Sequence, residues 1–240
     1  MQRKFSHTLG AMFAVIFALA FQIAVATAAA QSALAQSPSP QSSSSPAPPA
    51  PSTPAEPKPL TTAERDAALK SLQATHDAFL QSIAGLSEKQ WRFKPAPDRW
   101  SVAEVAEHIA VSESMIFGLV QGKFMQGPPT PEKRAEVKVT DEVILARVPD
   151  RSHKAQAPEF LKPTGRFADR AAVTKAFEDA RAKTMDYVRT TNDDLRDHFG
   201  PHPVFGPLDC YQWILLISAH SERHTKQIEE VKADPNFPKD

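Results

Sequence analysis

The stretch CYQWILLISAHSERHTKQIEEV, residues 210–231, constrains the fold of this chain more than any other part of the sequence. Its positions 213, 217, 220, 224, 228 and 231 recur every three or four residues, so they share one face of an α-helix. Four of these positions are apolar, and the other two are His220 and His224. Histidines four residues apart on a helix point the same way and can bind one metal ion together.

Three more amphipathic helices are predicted before this one. Thr61 and Glu64 fit a capping box that opens the first helix, and Ser101 and Glu104 fit a second box. We find no convincing strand pattern and no internal repeat. The predicted helices cover about residues 61–86, 101–120, 168–190 and 210–232. Four amphipathic helices indicate an all-α chain that folds as a four-helix bundle.

Two long irregular segments separate the predicted helices, and a shorter predicted loop, Lys89–Arg99, lies between the first and second helices. Gly122–Arg166 joins the second and third helices, contains six prolines and holds one short predicted helix at Asp141–Ala146. A connection of this length is typical of a segment that covers a site or carries the chain across the fold. The second segment, Asp193–Pro207, leads into the last helix.

The first 59 residues differ in composition from the rest. Residues 1–35 have a basic start, a long apolar run and the small residues Ala33-Leu34-Ala35, which is the order of a secretory signal peptide. We expect cleavage before Gln36, and residues 28–30 offer a second site. Residues 36–59 are almost entirely Ser, Pro, Ala and Gln, and are predicted to form a disordered linker. Residues 60–240 then form the bundle domain.

This N-terminal pattern predicts a periplasmic or secreted protein. The apolar run is longer than most signal cores, so an uncleaved membrane anchor is the alternative. If the signal is cleaved, we expect no stable membrane insertion. The formal net charge is zero and no basic block follows the signal, which argues against a nucleic-acid partner. Cys210 is the single cysteine, so an intramolecular disulfide is excluded.

His108 becomes a third candidate ligand when the depths of the histidines along their helices are compared. His108 lies in the apolar stripe of the second helix, about 10 Å from its N-terminal end. His224 lies about 12 Å, and His220 about 18 Å, from the C-terminal end of the last helix. If these two helices are antiparallel neighbours, the three imidazoles lie near one level.

Three neutral imidazoles suit a divalent metal ion. Zinc is the metal we expect most, with nickel, iron or manganese as alternatives. Three protein ligands leave one position open for water, which is the pattern of a catalytic metal rather than a structural one. No carboxylate is placed well enough in the sequence to be named as a general base, so no catalytic residue beyond the ligands is assigned.

The same residues resemble a known family. The DinB-like superfamily is similar to this chain over about Leu60–Val231, through Trp100-Ser101, Glu104 and His108, with His220-x-x-x-His224 and Gln227-Ile228. The resemblance implies a four-helix bundle with up-down-down-up topology. It also implies a divalent metal held by His108, His220 and His224. Its members include thiol-dependent S-transferases and maleylpyruvate isomerase-like enzymes, besides many proteins of unproven activity that are assigned as metal-dependent hydrolases.

Export favours the hydrolase among these activities, because low-molecular-weight thiols are mainly cytosolic and hydrolysis needs only water. We expect a small-molecule substrate that enters beneath Gly122–Arg166. A metal-dependent thiol S-transferase or isomerase is one alternative, and a non-catalytic metal-binding bundle is another. A homodimer is left open.

Other residues receive simpler interpretations. His76 is expected to be a core or outer histidine rather than a fourth ligand. Gln227 shares the inner face and is either a hydrogen-bond partner of a ligand histidine or an ordinary half-buried residue. Glu107 is interpreted as a solvated residue. His198 and His202 are expected to be loop histidines far from the metal.

The remaining interpretations concern packing. Cys210 is expected to be a small buried residue at the start of the last helix. The three tryptophans are expected to anchor the core; they are Trp91, Trp100 and Trp213.

Overall fold

The computed structural model describes residues 58–153 and 156–239. The predicted signal peptide, and the predicted linker up to residue 57, lie outside the described residues, so both stay predictions. Among the helices that are described, none has the length and apolar character needed to cross a bilayer.

Six α-helices and one two-stranded hairpin make up the described chain. The helices are α1 (Thr62–Ile83), α2 (Glu88–Arg92), α3 (Val102–Gly122), α4 (Asp141–Arg147), α5 (Arg170–Thr190) and α6 (Cys210–Lys232). Short 3-10 turns lie at Phe124–Gln126, Pro131–Glu136 and Glu159–Leu161, and the strands are β1 (Phe199–His202) and β2 (Gly206–Asp209). The four long helices form the predicted bundle.

The first two long helices begin where the sequence places their caps. The side chain of Thr61 accepts from the Glu64 amide, and that of Ser101 accepts from the Glu104 amide. In both cases the glutamate side chain accepts in return from the amide of the capping residue, which completes a capping box. Asp209 caps α6 in the same way. Local sequence therefore determines where these helices start.

The direction of each helix follows from contacts at its ends. The hydroxyl of Tyr211 at the start of α6 donates to the carbonyl of Glu64 at the start of α1, at 2.8 Å. These two helices are therefore parallel. Arg65 in the first turn of α1 donates to the carbonyl of Thr191, which follows the end of α5, at 2.9 Å. α5 therefore runs opposite to α1.

The remaining helix, α3, runs in the same direction as α5. Phe117 and Tyr187, near the ends of these two helices, have ring centroids 5.5 Å apart. The order of the long helices is therefore up, down, down and up, as predicted. Two consecutive parallel helices need a connection that returns along the whole bundle, and residues 123–169, the α3–α5 connection, provide it.

A buried ion pair lies in the middle of the bundle and touches all four long helices. Arg181 of α5 binds Glu113 of α3 through two N–H···O contacts of 2.5 and 2.9 Å. The same guanidinium donates to the carbonyl of Leu72 and the hydroxyl of Thr75 on α1, and to the hydroxyl of Ser221 on α6. Both charged side chains are about fully buried, at 1% and 0% exposed. Apolar core packs on either side of this cluster.

The hairpin corrects the prediction that the chain has no strand. Its register places Pro201 opposite Pro207. The Cys210 amide donates to the His198 carbonyl, so the alternation of an antiparallel ladder makes the proline pair a non-hydrogen-bonded one. Neither proline therefore costs the ladder a donor. Two prolines in eight strand residues hid the strands from a reading based on propensity.

A second difference concerns residues 89–99, which were predicted to be a loop. The structure has the short helix α2 at Glu88–Arg92, capped by Ser87. The first predicted helix accordingly ends earlier, at Ile83. Gly85 has a φ of 68° and makes the turn between the two helices. The short helix predicted within the α3–α5 connection is confirmed as α4.

Candidate metal centre

Three histidines from two helices meet inside the bundle. His220 and His224 lie one turn apart on α6 and project from one face, and His108 reaches them from α3. The ring centroids are 5.1 Å apart for His108 and His220, 4.4 Å for His108 and His224, and 4.5 Å for His220 and His224. One ring nitrogen from each histidine lies within 4.8 Å of the other two. The antiparallel packing of α3 and α6 thus brings the three predicted residues together.

Two of the three imidazoles are oriented by carbonyl oxygens. His108 Nδ1 lies 2.9 Å from the carbonyl oxygen of Leu161, which can only accept, so Nδ1 carries the hydrogen. His224 Nδ1 lies 2.8 Å from Gln227 Oε1. Arg151 also points a donor at that Gln227 oxygen, at 3.4 Å, which supports its assignment as the amide oxygen. In the neutral form of each ring, Nε2 is therefore the nitrogen with the free lone pair.

The two free lone pairs face each other. His108 Nε2 lies 3.2 Å from His224 Nε2. Neither nitrogen carries a hydrogen in the neutral tautomers set by Leu161 and Gln227, so no hydrogen bond joins them. Two ligand nitrogens that are each 2.0–2.1 Å from one tetrahedral ion are separated by about 3.3 Å. The observed spacing therefore fits a cation between them.

The protein environment keeps the three rings neutral near pH 7. Burial lowers the pKa of His108 below its usual value, although the hydrogen bond to Leu161 opposes this shift. Burial, followed by repulsion from His108, lowers the pKa of His220 to about 3. Burial and repulsion from the other two histidines hold the pKa of His224 well below its usual range. Neutral imidazole is the form that binds a metal ion.

The centre is buried at one of its three histidines and partly exposed at the other two. His108 is buried, whereas His220 and His224 are half-buried. Among the described residues, no carboxylate or thiol belongs to the group. The residues present therefore fit one divalent ion with three neutral nitrogen ligands, and the partial exposure leaves room for a further ligand such as water.

The α3–α5 connection packs against both sides of this centre. On one side, Leu161 contacts His108. On the other side, Arg223 of α6 donates to the carbonyls of Val148, Asp150 and His153. Arg151 also pairs with Glu230 through contacts of 2.9 and 2.7 Å. The connection is thus attached to α6 next to His224 and to α3 next to His108.

Comparison with known proteins places these residues in a family. The model of the DinB superfamily matches residues 71–228, which is most of the described bundle and includes all three histidines. The chain belongs to the DinB superfamily. The resemblance inferred from the Trp-Ser helix start and the three histidines is thereby confirmed.

Several relatives are similar to this DinB-superfamily chain. YuaE of Bacillus subtilis strain 168 is 26% identical over 150 residues, which are 62% of this chain and 88% of YuaE. The solved structure of YfiT from Bacillus subtilis, described as "a probable metal-dependent hydrolase with an unusual four-helix bundle topology", has a TM-score of 0.49 at 15% identity. The aligned region covers 75% of this chain and 91% of YfiT. TT2238, described as a four-helix bundle protein, has a TM-score of 0.43 at 20% identity, with 69% and 98% covered.

Three other histidines in the described part of this superfamily member lie outside the centre. His76 binds Asp77 through Nδ1 and stacks on Phe177, with ring centroids 5.7 Å apart. Both ring nitrogens of His198 face backbone carbonyls. His202 packs on Trp213 beside the hairpin, and burial lowers its pKa. None of them joins the three-histidine group, as expected.

Most of the simpler interpretations are confirmed. Gln227 is a hydrogen-bond partner of His224, as described above. Cys210 is fully buried, and burial raises the pKa of its thiol to about 12. Trp91 and Trp213 are core residues at 5% exposed. Trp100 is only half-buried, and its ring centroid lies 5.0 Å from that of His108, so it forms part of the wall of the centre.

The interpretation of Glu107 as a solvated residue was wrong. Its side chain is 7% exposed, and its carboxylate accepts from three backbone amides of the α3–α5 connection. The sequence separation of 57 to 59 residues explains why no local pattern revealed these partners. The Arg181–Glu113 pair was also missed. Both residues do occupy inward positions of their helices, because Arg181 follows the buried Phe177 by four residues and Glu113 follows the buried Ile109 by four.

Proposed function

We propose that this chain is an exported metal-dependent hydrolase in which His108, His220 and His224 hold one divalent ion. The observation that carries the proposal is the pair of Nε2 atoms, 3.2 Å apart, whose rings both direct Nδ1 at an oxygen acceptor. Two lone pairs at that distance repel each other unless a cation lies between them. Zinc suits three imidazoles best, and nickel, iron and manganese remain alternatives.

The arrangement of the three ligands supports a catalytic ion over a structural one. A structural zinc usually has four protein ligands, and a catalytic zinc usually has three. Here three nitrogens form the group among the described residues, and two of the three rings are half-buried. A divalent ion bound there supplies two kinds of chemistry, since it lowers the pKa of a bound water and polarises a substrate carbonyl or phosphoryl oxygen.

The chain's own residues would orient the ligands and shape the entrance. Leu161 and Gln227 hold two imidazoles in the tautomer that presents Nε2. Neutral ligands leave the whole charge of the ion uncompensated, which favours ionisation of water. Trp100 limits access beside His108, and the α3–α5 connection covers the centre. A small molecule is the substrate that such an enclosed centre would accept.

Metal analysis of protein purified without chelator tests the site. We expect one ion per chain in the wild type and loss of that ion in His108→Ala and His224→Ala. His76→Ala is the matched control, because His76 is a half-buried histidine of the same bundle that lies outside the group. If the wild type holds no stoichiometric metal, the proposed centre is wrong.

Assays on the metal-loaded protein then test the reaction. Hydrolysis of ester, amide or phosphoester substrates without added thiol is the expected result. Activity that appears only when a thiol is added would instead favour an S-transferase or isomerase. A cobalt-substituted form whose spectrum does not respond to azide would indicate a non-catalytic metal, because azide perturbs the spectrum only where a position is open.

The export part of the proposal rests on residues 1–35. Mass analysis of the protein from cell fractions tests it. We expect a periplasmic or secreted product that begins at Gln36. An intact N-terminus in the membrane fraction would favour the uncleaved anchor.

A further inference from the structure

We propose that Glu107 is a positioning residue for the metal centre, because its carboxylate holds the turn of the α3–α5 connection that places the Leu161 carbonyl against His108. The inference rests on the proposed function, since it assumes that His108 is a ligand. It adds a residue that contacts neither the ligand nitrogens nor a substrate.

The Glu107 carboxylate binds the backbone of the connection. Its Oε1 accepts from the Thr164 amide at 2.7 Å, and its Oε2 accepts from the amides of Gly165 and Arg166 at 2.9 and 3.2 Å. Gly165 has a φ of 76°, a left-handed conformation that turns successive amides toward one anion. A buried carboxylate is costly unless it is hydrogen-bonded, and here three amides satisfy it.

The turn held by Glu107 closely follows the residue that contacts His108. Leu161 lies three residues before Thr164, and its side chain is buried at 8% exposed. Its carbonyl oxygen accepts from His108 Nδ1 at 2.9 Å. Glu107 and His108 are neighbours on α3, so this helix holds the connection at two adjacent residues. One contact is the anchor of the turn, and the other is the hydrogen bond that orients the imidazole.

Glu107 is not placed to act as a general base. A general base must reach the proton that it removes. Both oxygens of Glu107 are instead occupied by amides of the connection, and the Arg166 guanidinium lies 3.7 Å from Oε1. The carboxylate therefore acts through the connection. Partners that orient a metal-bound histidine typically change metal affinity by 10- to 100-fold when they are lost.

Glu107→Gln in the full-length protein is the main test. The amide retains one acceptor oxygen and turns an NH₂ group toward a backbone amide, so the turn loses part of its anchor. We expect zinc affinity, measured by competition with a chelator, to fall by about tenfold. Glu104→Gln is the matched control, because it makes the same change of charge on the same helix, where the carboxylate pairs with Lys94, but does not contact the connection. It should lower the melting temperature of the metal-free protein and leave zinc affinity unchanged.

Gly165→Ala disturbs the same turn from the other side. A Cβ at this position meets no atom within 4 Å, so the substitution acts only through the left-handed backbone. We expect a smaller loss of zinc affinity, of a few-fold, in the same direction. This variant keeps the proposal testable if the glutamine variant does not fold.

NMR of the metal-free protein supplies a measurement that a general loss of stability would not change, namely the tautomer of His108. In the wild type, ¹⁵N shifts should show His108 protonated at Nδ1, and in Glu107→Gln they should show a mixture of tautomers. Unchanged zinc affinity and an unchanged tautomer in folded Glu107→Gln would overturn this inference but leave the proposed metal centre standing. A wild type without zinc affinity would overturn the centre itself, so the two failures are distinct.

Discussion

Two polar clusters lie next to each other inside this bundle, and they differ in how their hydrogen-bonding groups are used. In the Arg181 cluster, the five N–H donors of the guanidinium meet five acceptors from Glu113, Leu72, Thr75 and Ser221. In the histidine cluster, two acceptor nitrogens face each other. Ser221 and His220 are consecutive residues, so the clusters adjoin along α6.

This difference separates a structural cluster from a candidate binding site. A buried polar network that is complete within the protein has no capacity left for a ligand. A group of neutral nitrogens that point at a common position, without hydrogens between them, has capacity for a cation. The Arg181 cluster is also closed to solvent, whereas two histidines of the other cluster are half-buried. Burial of charge alone would have selected the Arg181 cluster as the candidate site.

The largest expected effect is on the free energy of unfolding when the Arg181 cluster is broken. Arg181→Met leaves the Glu113 carboxylate buried without its cation, so unfolding should become easier by about 3–5 kcal/mol. Denaturant titration of the metal-free protein measures this loss. Removing both charges in Arg181→Met/Glu113→Leu should recover much of it, because no unpaired charge then remains. If the single variant is as stable as the wild type, the cluster is not structural.

A smaller effect is expected from acid, and it should come from the histidine cluster. Burial lowers the pKa of His220 to about 3, so between pH 6.5 and 3 the unfolded chain binds a proton that the folded chain does not. The contribution of His220 to the free energy of unfolding is therefore fully present above pH 6.5 and is lost as the pH decreases toward 3. At pH 5 the loss is about 2 kcal/mol for this histidine. Denaturant titrations of metal-free protein at pH 5 and 7.5 measure it.

His220→Leu is the control for this pH dependence. It removes the titrating group, so the difference in unfolding free energy between the two pH values should shrink. If the wild type and the leucine variant lose stability equally on acidification, another group causes the loss. The histidine cluster would then not be the source of the acid sensitivity that distinguishes it from the Arg181 cluster.

The histidine cluster could be predicted from sequence because helix geometry converts residue number into position. Spacing of four places His220 and His224 on one face, and the constant rise per residue places His108 at their level. Those depths hold because α3 begins after the cap at Ser101 and α6 ends at Lys232, the two helix ends from which they were measured. The fold and the candidate ligands could therefore be predicted from the sequence.

Apart from Gln227, the groups around the candidate ligands could not be predicted in the same way. Leu161 and Glu107 act through the irregular α3–α5 connection, and no periodicity reports which carbonyl or amide meets a helix 53 to 59 residues away. Arg181 was missed for another reason. Its inward position was visible in the helical spacing, but a charged residue is usually assigned to the solvent face. The hairpin was missed because its residues are poor strand formers.

The smallest expected effect concerns Gln227, which links the histidine cluster to its surroundings. Gln227→Met removes the acceptor of His224 Nδ1 but keeps a side chain of similar size, so zinc affinity should fall by about tenfold, or 1.4 kcal/mol. Chelator competition measures the change, and the unfolding free energy of the metal-free protein should stay within about 0.5 kcal/mol of the wild type.

Gln227→Glu sharpens the same comparison. A carboxylate accepts from His224 Nδ1 at least as well as an amide oxygen and makes the ligand nitrogen more basic, and Arg151 lies close enough to stabilise its charge. Zinc affinity should therefore equal or exceed that of the wild type. If methionine and glutamate weaken zinc binding equally, the residue contributes only packing. The hydrogen bond from His224 to Gln227 would then contribute nothing to zinc affinity.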